Sequence, residues 1–134
     1  MEAREAGEIV VEALQLAEAR LRGGEDLAPL VVVERWAEFD VESFDQGALS
    51  EAEARFNDLI AHGPGNETYA WVHLERVDSG ETVIVIKRGL PGRPEPEAFI
   101  QRFRSRRGPL RRFKRIGELK PVSAGEATAQ SSAP

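Results

Sequence analysis

Between Arg102 and Lys120 the chain carries nine Lys or Arg side chains and a single acid, Glu118, a local balance of +8. Arg102, Arg104, Arg106, Arg107, Arg111, Arg112, Lys114 and Arg115 are the candidate anion-binding residues of this stretch. Cations at this density suit a phosphate backbone, because each neutralised phosphate releases counterions and a guanidinium fork matches two oxygens at once. Phe99, Phe103, Leu110, Phe113 and Ile116 interleave with the charges. Such residues either form the buried stripe of amphipathic helices or stack on bases. The bland reading is a solvated basic face, and an acidic protein surface offers the same chemistry as nucleic acid. Residues 1 to 101 hold nine basic and twenty-one acidic side chains, and the whole chain is at −5. That field opposes a polyanion everywhere except at the arm.

Other chemistry-bearing residues are sparse. There are two histidines, His62 and His73, and no cysteine. Disulfides, thiolate metal sites and thiol nucleophiles are therefore excluded. His73 shares a predicted strand face with Trp71 and Glu75, where a carboxylate beside an imidazole would suit general acid–base work. No second His stands in register and no nucleophile motif accompanies it, so an enzyme with a site near His73 is only the second alternative. Asp40, Glu42, Asp45 and Glu51 have an EF-hand-like first and twelfth position. Phe44 stands where a ligand is needed, and Asp45 where the sharp turn needs Gly, so the calcium reading fails. Gly63-Pro64-Gly65-Asn66 and Gly89 to Pro94 lack the Gly-Lys-Ser/Thr ending of a phosphate loop. No metal, cofactor or catalytic residue is expected.

These residues must be positioned by a framework legible from periodicity. Residues 2–22 predict a helix: Val10, Leu14, Ala17 and Leu21 form a stripe, acids precede and Arg20 and Arg22 close it, and Gly23-Gly24 ends it. Leu30 to Phe39 predicts the first strand. Ser50 to His62 predicts a second helix opened by a Ser50–Glu53 capping box. Thr68 to Val77 and Thr82 to Arg88 predict a hairpin around Asp78-Ser79-Gly80-Glu81. Val83 to Ile86 is apolar on both faces, which asks for a central strand.

The expected fold is α+β: an N-terminal helix, then a split βαβ unit with a three-stranded sheet in the order 1-3-2, its first two strands parallel across a crossover. After a Pro/Gly linker, a basic helical arm and a disordered tail follow, with Gly108-Pro109 breaking the arm into two helices. The expected divisions are 1–90 for the α+β domain (1–24 the helix, 30–88 the core), 94–120 for the arm and 121–134 for the tail.

At 134 residues, with 41% hydrophobic and 31% charged side chains, the chain reads as one soluble domain. It has no signal-peptide pattern and no apolar run of spanning length, so a cytoplasmic location is expected and a membrane partner is not. The expected function is a small non-enzymatic binding or adaptor protein whose arm engages an anionic partner, nucleic acid first and an acidic protein surface second. The first alternative is protein assembly, as a homo-oligomer through residues 2–22 or a hetero-complex, with the acidic N-terminal helix meeting the basic arm.

Overall fold

The computed structural model describes residues 6–23, 27–93, 95–106 and 112–122. Helix α1, Glu8–Arg22, opens the described chain, followed by strands β1 (Leu30–Arg35) and β2 (Glu38–Ser43) and helix α2 (Leu49–His62). Strands β3 (Glu67–Arg76), β4 (Thr82–Gly89), β5 (Glu97–Arg106) and β6 (Arg112–Val122) complete it. All six strands join one sheet in the order β2-β1-β3-β4-β5-β6, and every neighbouring pair is antiparallel.

Each face of the sheet buries one helix. On one side Ile9, Val10, Ala13, Leu14, Ala17 and Leu21 of α1 pack with Leu30, Val32, Ala70, Val72, Ile84, Ile86, Phe99 and Leu119. On the other side Ala52, Phe56 and Ile60 of α2 pack with Val31, Val33, Tyr69 and Trp71. The run from Leu30 to Val33 is apolar at every position because its successive side chains serve these two cores alternately. Gly89 sits beneath α2, and a Cβ there would meet Ile60 and Phe56.

Several expectations are corrected. The first strand does not continue to Phe39. It turns at Trp36-Ala37, whose φ values of 53° and 62° are both left-handed, and Arg35 pairs with Glu38 across a two-residue loop. Two positive φ angles belong to a type I′ hairpin turn, for which Asn-Gly is the usual signal. Trp-Ala carries no such signal.

The extra strand then changes the topology. The order 1-3-2 and a parallel first pair are overturned, since β1 and β3 are antiparallel neighbours and β4 lies between β3 and β5. Because β2 reverses the chain before α2, it is β2 and β3 that run parallel across the crossover, and β1 fills the gap between them.

The helical arm is overturned as well. Residues 97–106 and 112–122 are strands β5 and β6 of the same sheet. The physical reason is period two: Phe99, Gln101 and Phe103 alternate with Ile100, Arg102 and Arg104, and β4, apolar on both faces, needs a second neighbour. β5 supplies it. The Pro and acids before Ala98, read as a helix start, precede a strand. Of the expected tail, Pro121 and Val122 finish β6, and 123–134 lies outside the described residues. The Ser50 capping box does not form either, since α2 starts one residue earlier without a side-chain cap. No helix among the described residues is long and apolar enough to cross a membrane.

Candidate anion-binding face

Strand alternation divides the basic stretch between two faces. Phe99, Phe103 and Phe113 point to the α1 side, where Phe103 and Phe113 stack with ring centroids 5.5 Å apart. Arg115 shares that side and is ion-paired to Glu18 of α1, whose carboxylate is buried. The Arg22 guanidinium lies 5.6 Å from the Phe113 ring centre. Arg115 is thus a tie between helix and sheet, and Phe99, Phe103 and Phe113 pack against the α1 core, the last two half-buried.

The opposite side carries Arg102, Arg104, Lys114 and Lys120, all exposed. Arg104 stands directly across from Lys114, and neither has an ion-pair partner among the described residues. Like charges facing each other across a strand pair cost roughly 0.2–1 kcal/mol, a cost an anion seated between them would remove. Arg102 donates to both carboxylate oxygens of Glu81, at 2.9 and 3.2 Å, so its charge is partly answered. Lys87 of β4 joins the same side, its ammonium 5.1 Å from the Trp71 ring centre. Ile100 and Ile116 lie half-buried among these cations. Glu75 and Glu118 also carry acid onto this part of the sheet, beside the Glu81 that Arg102 binds.

Of the eight candidate residues, then, Arg102, Arg104 and Lys114 come together, and Arg115 points away. Arg106 and Arg112 pair in register at the ends of β5 and β6, while Arg107 and Arg111 lie outside the described residues. Lys87 and Lys120 are the additions. Lys87 was hidden by its distance in sequence, although its alternation with Val85 placed it on a definite strand face.

A buried cluster flanks this side. His73 is 5% exposed and stacks on Trp71, with ring centroids 4.4 Å apart. Its Nδ1 lies 3.2 Å from the Leu74 carbonyl. A carbonyl only accepts, so Nδ1 carries the proton. Burial, opposed by that hydrogen bond and helped by the Lys87 charge, pushes the His73 pKa down to about 4. His73 Nε2 and Trp71 Nε1 have no hydrogen-bond partner among the described residues. His73 is a neutral, packed ring here. The Tyr69–Trp71 face of β3 is packing, with Phe56 of α2 6.2 Å from Trp71.

A second buried group lies at the other end of β3. The Tyr69 hydroxyl donates to Glu67 at 2.7 Å, and Arg35 donates to the same carboxylate. The Tyr69 bond first, and the Arg35 guanidinium after it, hold Glu67 below the usual carboxylate range against its burial. Burial and the Glu67 charge push Tyr69 up to about 12. In the acidic loop region Glu42 is bound by Arg55 at 2.9 and 3.2 Å. His62 sits at the end of α2 beside Asp58, 3.1 Å away. No group of three or more His, Asp or Glu suited to a metal occurs among the described residues.

No protein-family model matches the chain, and neither a curated protein nor a solved structure matches it.

Proposed function

We propose that this protein is a non-enzymatic binding module, and that the β4–β6 side of its sheet engages the phosphate backbone of a nucleic acid. The observation that supports this reading is the exposed Arg104–Lys114 pair, two unanswered cations held against each other, with Arg102 beside it and Lys120 and Lys87 further along the same side. A strand of ten residues extends roughly 33 Å, enough for several phosphates along the hairpin. Because Phe103 and Phe113 point to the α1 core, the cationic side offers charge and aliphatic surface, and no described stacking platform. Binding is therefore expected to be steep in salt and indifferent to sequence.

The test is a titration of the full chain with labelled single- and double-stranded oligonucleotides across a salt series. Replacing Arg104 and Lys114 together by Gln should weaken binding uniformly across sequences and flatten the salt slope by about one for each lost phosphate contact. An unchanged slope removes the proposal. An acidic protein surface is the competing partner, distinguished by binding that is absent for every oligonucleotide at low ionic strength.

A further inference from the structure

The two ends of the sheet are oppositely charged. Strand β2, at one edge, carries Glu38, Asp40 and Glu42 on the α2 side and no basic residue. Glu38 and Asp40 are exposed, and neither has a partner among the described residues. Strand β6, at the other edge, carries Arg112, Lys114, Arg115 and Lys120 against Glu118 alone. We propose that copies of this chain join head to tail, β2 of one copy adding antiparallel to β6 of the next.

The strand directions allow it. Five antiparallel steps separate β2 from β6, so the two edges run opposite ways. A copy translated along the sheet then presents β2 antiparallel to β6, with its α2 side on the same side as its neighbour's. The free hydrogen-bonding groups also match. Phe44 N–H donates to Pro29 O, so even-numbered residues of β2 bond inward and Phe39, Val41 and Ser43 point their amides outward. Val77 N–H donates to Glu81 O at the β3–β4 turn. Carrying that alternation through β4 and β5 leaves Phe113 and Arg115 as the outward residues of β6.

Of the registers that set outward residue against outward residue, Val41 opposite Phe113 of the next copy combines two bonded pairs with two unlike-charge positions on the α2 side, Asp40 opposite its Lys114 and Glu42 opposite its Arg112. Val41 is 40% exposed in the single chain, and this pairing covers it. The rest of β6 is closed to addition. Gly117, at φ 70°, lies at the irregularity of this strand, and Pro121 has no N–H to give. Residues 112–116 remain, matched in length to β2.

Charges on sheet edges ordinarily keep edges apart. Here they do so selectively. Two β2 edges repel, two β6 edges repel, and only the unlike pair attracts. Self-complementary dimers are thereby disfavoured, and the permitted contact is heterologous, which closes only if the rotation between copies closes. Lys114 serves both this inference and nucleic-acid binding, but Asp40 enters only here, so an oligonucleotide titration of Asp40→Lys separates the two.

Sedimentation velocity on the full chain over a concentration series tests it. At low salt the weight-average mass should rise with concentration to about twice the monomer value or beyond, and fall back in high salt. Asp40→Lys alone and Lys114→Glu alone should each remain monomeric, with circular dichroism confirming the fold. Mixed one to one they should assemble again, because each junction in the mixture pairs unlike charges. A monomer at every concentration at low salt overturns the proposal. So does assembly that survives either single reversal, or a mixture that stays monomeric.

Discussion

His73 is a titratable ring that folding keeps neutral, and its consequence for stability has a definite sign. The unfolded chain protonates this imidazole near 6.5, whereas the folded protein resists until about 4. Above 6.5 neither state is protonated and the group is silent. As pH falls through that window only the unfolded state gains a proton, so stability declines. At about 1.4 kcal/mol per pH unit, stability should drop by about 2 kcal/mol between about pH 7 and about pH 5. Urea midpoints at the two pH values measure it. His73→Phe should flatten this part of the profile while keeping the stack on Trp71. Glu67, held below the carboxylate range, contributes a loss only at lower pH, so the two groups are separable.

Gly63 is a second residue with a single physical reason. It closes α2, and a Cβ at this position would overlap the Tyr69 hydroxyl and crowd the Leu59 carbonyl. Gly63→Ala should destabilise by about 3 kcal/mol or more, with Tyr69 forced off its bond to Glu67. Tyr69→Phe alone should cost about 1–2 kcal/mol through the hydrogen bond it removes from a buried carboxylate. Combined, the two should cost less than their sum, because the second change vacates part of the space the first one needs. Thermal or urea denaturation of the three variants gives the coupling directly.

Among the elements, the β1–β2 hairpin is the one whose sequence fits its backbone worst. Trp36 and Ala37 both occupy left-handed φ, where a side chain is disfavoured, and Trp36 is 79% exposed. Trp36→Asn with Ala37→Gly places the residues this turn favours and should stabilise the protein by about 1 kcal/mol, read as a higher denaturation midpoint. The same hairpin explains where sequence reasoning stopped. The stripe of α1 and the Asp78–Glu81 turn were legible because periodicity and turn residues agreed with the tertiary structure. The reversal at Trp36 left no mark in residue type, and missing it shifted every strand pairing that depended on β2. In the basic stretch the alternation of Phe and Arg was present, but the Pro-rich approach and the Gly108-Pro109 break favoured helices. What decided the matter was tertiary: a central β4 that needed β5. Arg104 and Lys114 were nameable as cations, whereas their juxtaposition existed only once the hairpin did.

At the scale of the whole molecule the basic stretch is structural as well as charged. Phe99 is 2% exposed in the α1 core, Leu119 shares that core, and Arg115 ties β6 to Glu18. A peripheral arm would detach from the domain without disturbing it. A hairpin that completes the core cannot, because its loss would expose Ile84 and Ile86 on β4 along with the α1 stripe. Phe99→Ala should therefore lower the stability of the entire chain by about 3–5 kcal/mol. Far-UV circular dichroism reports all the strands, and, in a Trp36→Phe background that removes the exposed indole, the fluorescence of Trp71 reports the α2 side of the sheet, away from Phe99. If the chain unfolds as one unit, both probes shift together and their transitions stay superimposed in the variant. If the hairpin were a separable arm, Phe99→Ala would leave the Trp71 transition in place and split the two curves.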